Sequence, residues 1–132
     1  MQPHHLSVGI VTAALVDCQR FYSRHFGFTT VFASDWYIQL RSPEQRLEIG
    51  LLAPRHPSQP AALQMEYGGQ GAFINLEMPD VADCYARLQA EGVAFELALC
   101  DEAWGERHFL LRDPSGMVVN VFEKLRSMPP VA

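Results

Sequence analysis

The side chains here best suited to metal ligation or nucleophilic work are five histidines and three cysteines. His4 and His5 are neighbours. On an extended segment neighbours point to opposite sides, so the pair is poorly placed to share an ion and reads as a solvated N-terminus. His25 falls late in a helical stretch, where a cation suits the helix dipole. His56 sits among prolines with no partner in sequence and is given no role. His108 lies on a predicted strand next to Trp104 and Arg107. It belongs at the mouth of a cleft or on an outer face, and both readings stay open. Cys18 and Cys84 fall on apolar helix faces, the usual place of buried, inert thiols. No Cys-His or Ser-His-Asp signature is present, and no glycine-rich phosphate loop.

Arg107 follows Trp104-Gly105 and is placed to offer a guanidinium to an anionic or carbonyl group. Arg112, before Asp113-Pro114, reads as structural, like Arg41. Glu102 and Glu106 read as solvated loop acids. Aromatic residues such as Phe32, Tyr37, Phe73, Phe95, Phe109 and Phe122 fall on or between predicted strands. Alternation turns some toward helices as core and the others toward a cavity, giving an apolar pocket with a few polar anchors. Trp36 and Trp104 precede the third strand of each half. Paired indoles flanking a cleft would stack on a flat or heteroaromatic ligand, with ordinary core packing the competing role.

The elements that must position these groups are written twice. Asp17-Cys18 recurs as Asp83-Cys84, at 83 − 17 = 66, and Gly27 recurs as Gly92, at 92 − 27 = 65. Leu40-Arg41-Ser42-Pro43 recurs as Leu111-Arg112-Asp113-Pro114, at 111 − 40 = 71. Three matches in one order point to a duplicated unit. In the first copy a strand over Leu6 to Ala13 precedes a helix with Leu15, Cys18, Tyr22 and Phe26 on one face and Gly27 as C-cap. Strands follow over Phe28 to Ala33, Trp36 to Arg41 and Leu47 to Leu52. In the second copy a strand over Gly71 to Met78 precedes a helix capped by Asp80, with Val81, Cys84, Tyr85 and Leu88 at helical spacing. Strands over Val93 to Leu99, His108 to Arg112 and Val118 to Glu123 complete it. The expected organisation is one domain over 1–132: module one at 5–53, a Pro/Gly linker at 54–70, module two at 71–124 and a loose tail at 125–132.

Composition narrows the function classes. The 132 residues are 48% hydrophobic, enough for a core without staples. Charged residues are only 19%, which suggests apolar area given over to a pocket or a subunit interface. The net charge of −5, with no basic run, argues against nucleic acid. No apolar run approaches the ~18 residues of a membrane span. The N-terminus lacks the pattern of a signal peptide, and an odd cysteine count does not look like a disulfide framework. The expected location is the cytoplasm.

Phe21-Tyr22 followed by Phe26-Gly27-Phe28, and Trp104-Gly105-Glu106-Arg107 followed by Arg112-Asp113-Pro114-Ser115-Gly116, resemble the signatures of the vicinal-oxygen-chelate superfamily. That group includes glyoxalase I, extradiol dioxygenases, fosfomycin-modifying enzymes and bleomycin-binding resistance proteins. The resemblance covers residues 5–124 and implies an α+β fold. Two βαβββ modules in tandem would form curled mixed sheets around a central cleft, commonly completed as a homodimer.

In the metal-dependent members four strand positions supply His and Glu ligands. The resemblance places them here at Ser7, Ile49, Ala72 and Asn120, which do not make a transition-metal site. A one-residue slip of register would instead turn Glu48 inward and bring His5 nearer. The expectation is therefore no metal and no cofactor. A small, partly aromatic molecule would be bound by Ser7, Trp36, Trp104, Arg107, His108, Asn120 and Phe122, with Ser7 and Asn120 as neutral hydrogen-bonding groups. No catalytic residue is assigned. The alternatives are a metal-dependent lyase or dioxygenase, and a metal-free enzyme using Arg107, His108 or Glu48 in the same cleft. A further alternative is a structural partner protein whose cleft is filled by its own side chains.

Overall fold

The structure, a computed structural model, describes residues 1–125. The tail expected from 125 lies, beyond Leu125, outside the described residues. The chain divides into two compact units: Met1–Gln70 with Pro114–Gly116, and Gly71–Asp113 with the residues from Met117.

The first unit is built from β1 (Val8–Val11), α1 (Leu15–Phe26), β2 (Thr29–Ala33), β3 (Tyr37–Arg41) and β4 (Glu48–Leu52). Leu15, Cys18 and Tyr22 recur at three- and four-residue spacing and are the buried face of α1. Gly27 ends the helix in the left-handed region at φ 72°, its N–H donating to Ser23 O. The sheet runs β1-β4-β3-β2, with β1 parallel to β4 and the other pairs antiparallel. Ile38, Leu40, Ile49 and Leu51 alternate onto the core side, all at most 3% exposed. Each such side chain contributes about 1.5–3 kcal/mol by leaving water. Gly9, Gly50, Gln39 and Glu48 occupy the other face by the same alternation.

The second unit repeats the plan with β5 (Phe73–Glu77), α2 (Val81–Ala90), β6 (Leu97–Asp101), β7 (Glu106–Arg112) and β8 (Val118–Lys124) in the order β5-β8-β7-β6. Val81, Cys84 and Leu88 are the buried face of α2, and Tyr85, Phe95 and Phe109 cluster beside it. Asp80 stands at the N-cap position, but its side chain makes no cap hydrogen bond. Glu123 Oε1 instead accepts the N–H of Val81 at 3.3 Å. Strand β6 begins at Leu97 rather than at Val93, because its ladder is set by pairing to β7, with Cys100 opposite His108 and an irregularity between Leu97 and Cys100.

Between the units' sheets in sequence, residues 54–70 are an ordered loop with a 3₁₀ turn at Ala61–Leu63. Tyr67 donates its N–H to Val11 O at 2.8 Å, and Glu66 Oε2 accepts from Ala13 N at 2.6 Å. Gln64 holds the loop together by donating to His56 O and Gln59 O.

Candidate functional site

The first unit carries a cavity of about 390 Å³ on the sheet face turned away from α1. Its floor is Gly9, Val11, Gly50 and Leu52, and Trp36 and Tyr37 rise at the start of β3. Gln59 and Leu63 of the 54–70 loop reach over it. The His56 ring stacks on the Trp36 indole at 4.0 Å between centroids and 15° between planes. The reading that gave His56 no role is corrected here: a loop residue remote in sequence covers one face of the tryptophan.

A polar chain runs from the cavity along the same face. The Tyr37 hydroxyl donates to Gln39 Oε1, and Gln39 Nε2 donates to Glu48 Oε1 at 2.6 Å. Glu48 Oε2 lies 3.5 Å from Arg41 Nε and 3.7 Å from His5 Nε2. Burial, and then the charge of Glu48, push the Tyr37 phenol above its ordinary value. Only a glycine at position 50 admits this arrangement, since a Cβ there would stand 2.5 Å from Tyr37 Oη.

The second unit presents a different face. His108, directly opposite Phe122 on β8, lies on the side of its sheet away from α2 and is 8% exposed. Its Nδ1 lies 2.8 Å from Asn120 Oδ1, and its Nε2 lies 2.8 Å from Glu102 Oε2. Asn120 Nδ2 donates to Asn75 Oδ1 at 2.8 Å, from the directly paired residue of β5. The Cys100 thiol donates to Glu102 Oε2 at 3.8 Å. Burial and the facing Glu102 carboxylate push that thiol up, with Asp101 adding to the effect. Trp104, 42% exposed in the β6–β7 turn, donates from Nε1 to Glu106 Oε1 at 3.1 Å and makes a T-shaped contact with the His108 ring at 6.2 Å between centroids.

His108, Asn120 and Phe122 thus share one face, with Trp104 at its margin. Arg107 does not join them. Alternation sends it to the α2 side, where it grips Asp101 at 2.7 and 3.1 Å and holds that carboxyl below its usual range. Trp36 belongs to the cavity of the first unit, and Ser7 is exposed just before β1. Glu102, read from sequence as a solvated loop acid, is corrected to a partner of His108. Sequence reasoning also missed Asn75 and Cys100 here. The signal for Cys100 was Cys-x-Glu at strand alternation, followed by a Gly-containing turn and His108.

The positions where the resemblance implies a metal need two corrections. Ile49 is 3% exposed in the core beneath α1, because β4 turns Glu48 and Gly50 to the other face. Gly50 pairs with Gln39, two residues before Arg41, just as Asn120 pairs with Leu110, two before Arg112. Gly50 is therefore the counterpart of Asn120. Ala72 gives way to Phe73, the counterpart of Ser7 at 73 − 7 = 66 and 62% exposed. Ser7, Gly50, Phe73 and Asn120 offer one hydroxyl and one amide, with no imidazole, thiolate or carboxylate. That donor set does not fit a zinc- or iron-class ion. Glu48 is already matched by Arg41, Gln39 and His5.

The sequence model of the glyoxalase/bleomycin resistance protein/dioxygenase superfamily matches residues 4–121. The chain belongs to this superfamily. A glyoxalase/bleomycin resistance protein/dioxygenase from Nocardioides superposes with TM-score 0.80 at 22% identity, covering 100% of this chain and 91% of that one. TnmS3, an antibiotic binding protein from Streptomyces sp. CB03234, gives 0.69 at 21% identity, covering 93% and 97%. A lactoylglutathione lyase from Agrobacterium tumefaciens gives 0.71 at 20%, covering 93% and 96%. At these identities the superfamily likeness is one of fold. A search of the curated proteins finds no match for the chain. Among the described residues no helix is long and apolar enough to cross a membrane.

Proposed function

We propose that this superfamily member binds a small, partly aromatic molecule in the cavity of the first unit, without a metal, to sequester an antibiotic or metabolite. The observation that carries the reading is the cavity itself. Its volume of about 390 Å³ suits a small ligand, its walls are apolar, and Trp36 presents an indole to it. The Tyr37 hydroxyl supplies a polar anchor at the floor. The lack of imidazole, thiolate or carboxylate at Ser7, Gly50, Phe73 and Asn120 favours binding over metal-assisted lyase or dioxygenase chemistry. TnmS3, the Streptomyces neighbour, is an antibiotic binding protein, and antibiotic binding is one form the function can take in this chain.

The protein works as a cytoplasmic homodimer in this reading. Support for the dimer comes from β2, exposed along all five residues, with Val31 43% and Phe32 56% accessible.

The test is a fluorescence titration of a Trp104→Phe variant, so that Trp36 reports alone, against planar aromatic compounds in the presence of a chelator. Saturable quenching unaffected by the chelator is the expected result. Binding that appears only with added metal, or none across the panel, sinks the reading. Light scattering at micromolar concentration checks the dimer.

A further inference from the structure

The second unit holds a group of side chains that the pocket reading does not use. Cys100 and His108 are directly opposed across the β6–β7 ladder, and Glu102 stands two residues on from Cys100, so all three fall on one face. One ligand atom from each lies within 4.8 Å of the others. Cys100 and Glu102 are half-buried and His108 is buried.

The ring of His108 is oriented by a chain behind it. Asn120 commits its Nδ2 to Asn75 Oδ1, so the atom it turns to His108 is the acceptor Oδ1. That contact orients the ring so that Nε2 faces the Glu102 carboxylate, 2.8 Å from Oε2. An amide that fixes the distal nitrogen and presents Nε2 forward is the arrangement that supports a metal-ligating histidine.

We propose that Cys100 Sγ, Glu102 and His108 Nε2 form a binding site for a divalent zinc-class ion, with Asn120 and Asn75 as its positioning residues. Thiolate, imidazole and carboxylate together select zinc or cobalt over calcium or magnesium. Donors around a tetrahedral zinc stand about 3.4–3.6 Å apart. The present separations, from 2.8 Å to within 4.8 Å, bracket that distance. On binding, the S–H bond of Cys100 breaks, its proton goes to solvent, and a sulfur–metal bond forms. The thiolate and Glu102 then balance the two charges of the ion, and a fourth position is left for water or a ligand group. This site uses residues of the second unit alone and stands independently of the pocket reading.

The experiment is a cobalt titration of the chelator-treated, untagged full chain, followed by the sulfur-to-cobalt charge-transfer absorption, with zinc competition and elemental analysis. One cobalt per chain with a thiolate band, displaced by one zinc, is expected. Cys100→Ser removes the band, whereas a Cys84→Ser variant keeps it. Asn120→Leu, acting through the ring of His108, weakens affinity about 10–100-fold while the band persists at saturation. Circular dichroism identifies any variant that fails to fold; where Cys100→Ser does, His108→Gln replaces it and is expected to weaken cobalt binding at least tenfold, and unchanged affinity would overturn the site. No thiolate band in the folded wild type, or a band unchanged in Cys100→Ser, overturns the site.

Discussion

Gly50 and Tyr37 are in contact across the β3–β4 ladder in a way only glycine permits: a Cβ on residue 50 would meet Tyr37 Oη at 2.5 Å. The phenol lies over the bare backbone of β4, which places its hydroxyl at the cavity floor and within reach of Gln39. Because the atom met is the far end of a rotatable side chain, Gly50→Ala should displace the ring into the cavity rather than unfold the sheet. Ligand affinity by fluorescence should fall at least tenfold, while the urea midpoint moves little. Unchanged affinity would mean the ligand does not use this floor.

Trp36 lines the cavity, and the His56 ring is stacked on its indole. Aromatic stacking contributes about 0.5–1.5 kcal/mol beyond area burial, so Trp36→Ala should weaken a planar ligand about tenfold or more. Trp36→Phe should recover part of that loss. Isothermal titration calorimetry of both variants gives the comparison; an alanine variant that binds as well as wild type would place the ligand elsewhere.

His108 is buried and its Nδ1 lies 2.8 Å from Asn120 Oδ1, its hydrogen-bond partner. Asn120→Leu leaves that nitrogen without its partner, and a buried unsatisfied group costs about 1–3 kcal/mol. Urea unfolding with chelator present should show a loss of that size. Asn120→Asp, which keeps an acceptor oxygen for His108 but gives up the N–H donated to Asn75, should restore part of it. Equal losses in both variants would count against the hydrogen bond as the cause.

Tyr37 should ionise above the ordinary 10.0, first because of burial and second because of Glu48. A group whose pKa is raised by folding gives up its proton first in the unfolded chain. Its contribution is present below about pH 10 and is lost as the pH climbs through the folded value. Phenolate absorbance, compared with a Tyr37→Phe difference titration, should show this late component, and Glu48→Gln should bring it down. A component that stays put in Glu48→Gln would remove the electrostatic part of the account.

How much was legible in the chain alone follows from the range of the interactions involved. Leu15, Cys18 and Tyr22, and again Val81, Cys84 and Leu88, announce their helices because the 3.6-residue period is a property of the local chain. Gly27 announces its turn for the same reason: φ of 72° is strained for residues with a Cβ. The repeated Leu-Arg-x-Pro strings and the aromatic–glycine signatures were enough to imply the α+β duplicated fold.

Register was not legible. Whether Ile49 or its neighbours face the core depends on which residues of β3 and β1 pair with β4, and a slip by one reverses every side chain. The stack of His56 on Trp36 joins residues 20 apart, at 56 − 36, through a loop whose path no local rule sets. His108 stood out in the sequence as a candidate site residue, but nothing in the sequence joined it to Cys100 and Glu102. Sequence determined which side chains exist and which local elements they favour. Strand pairing, a non-local choice governed by core burial, decided which of those side chains meet.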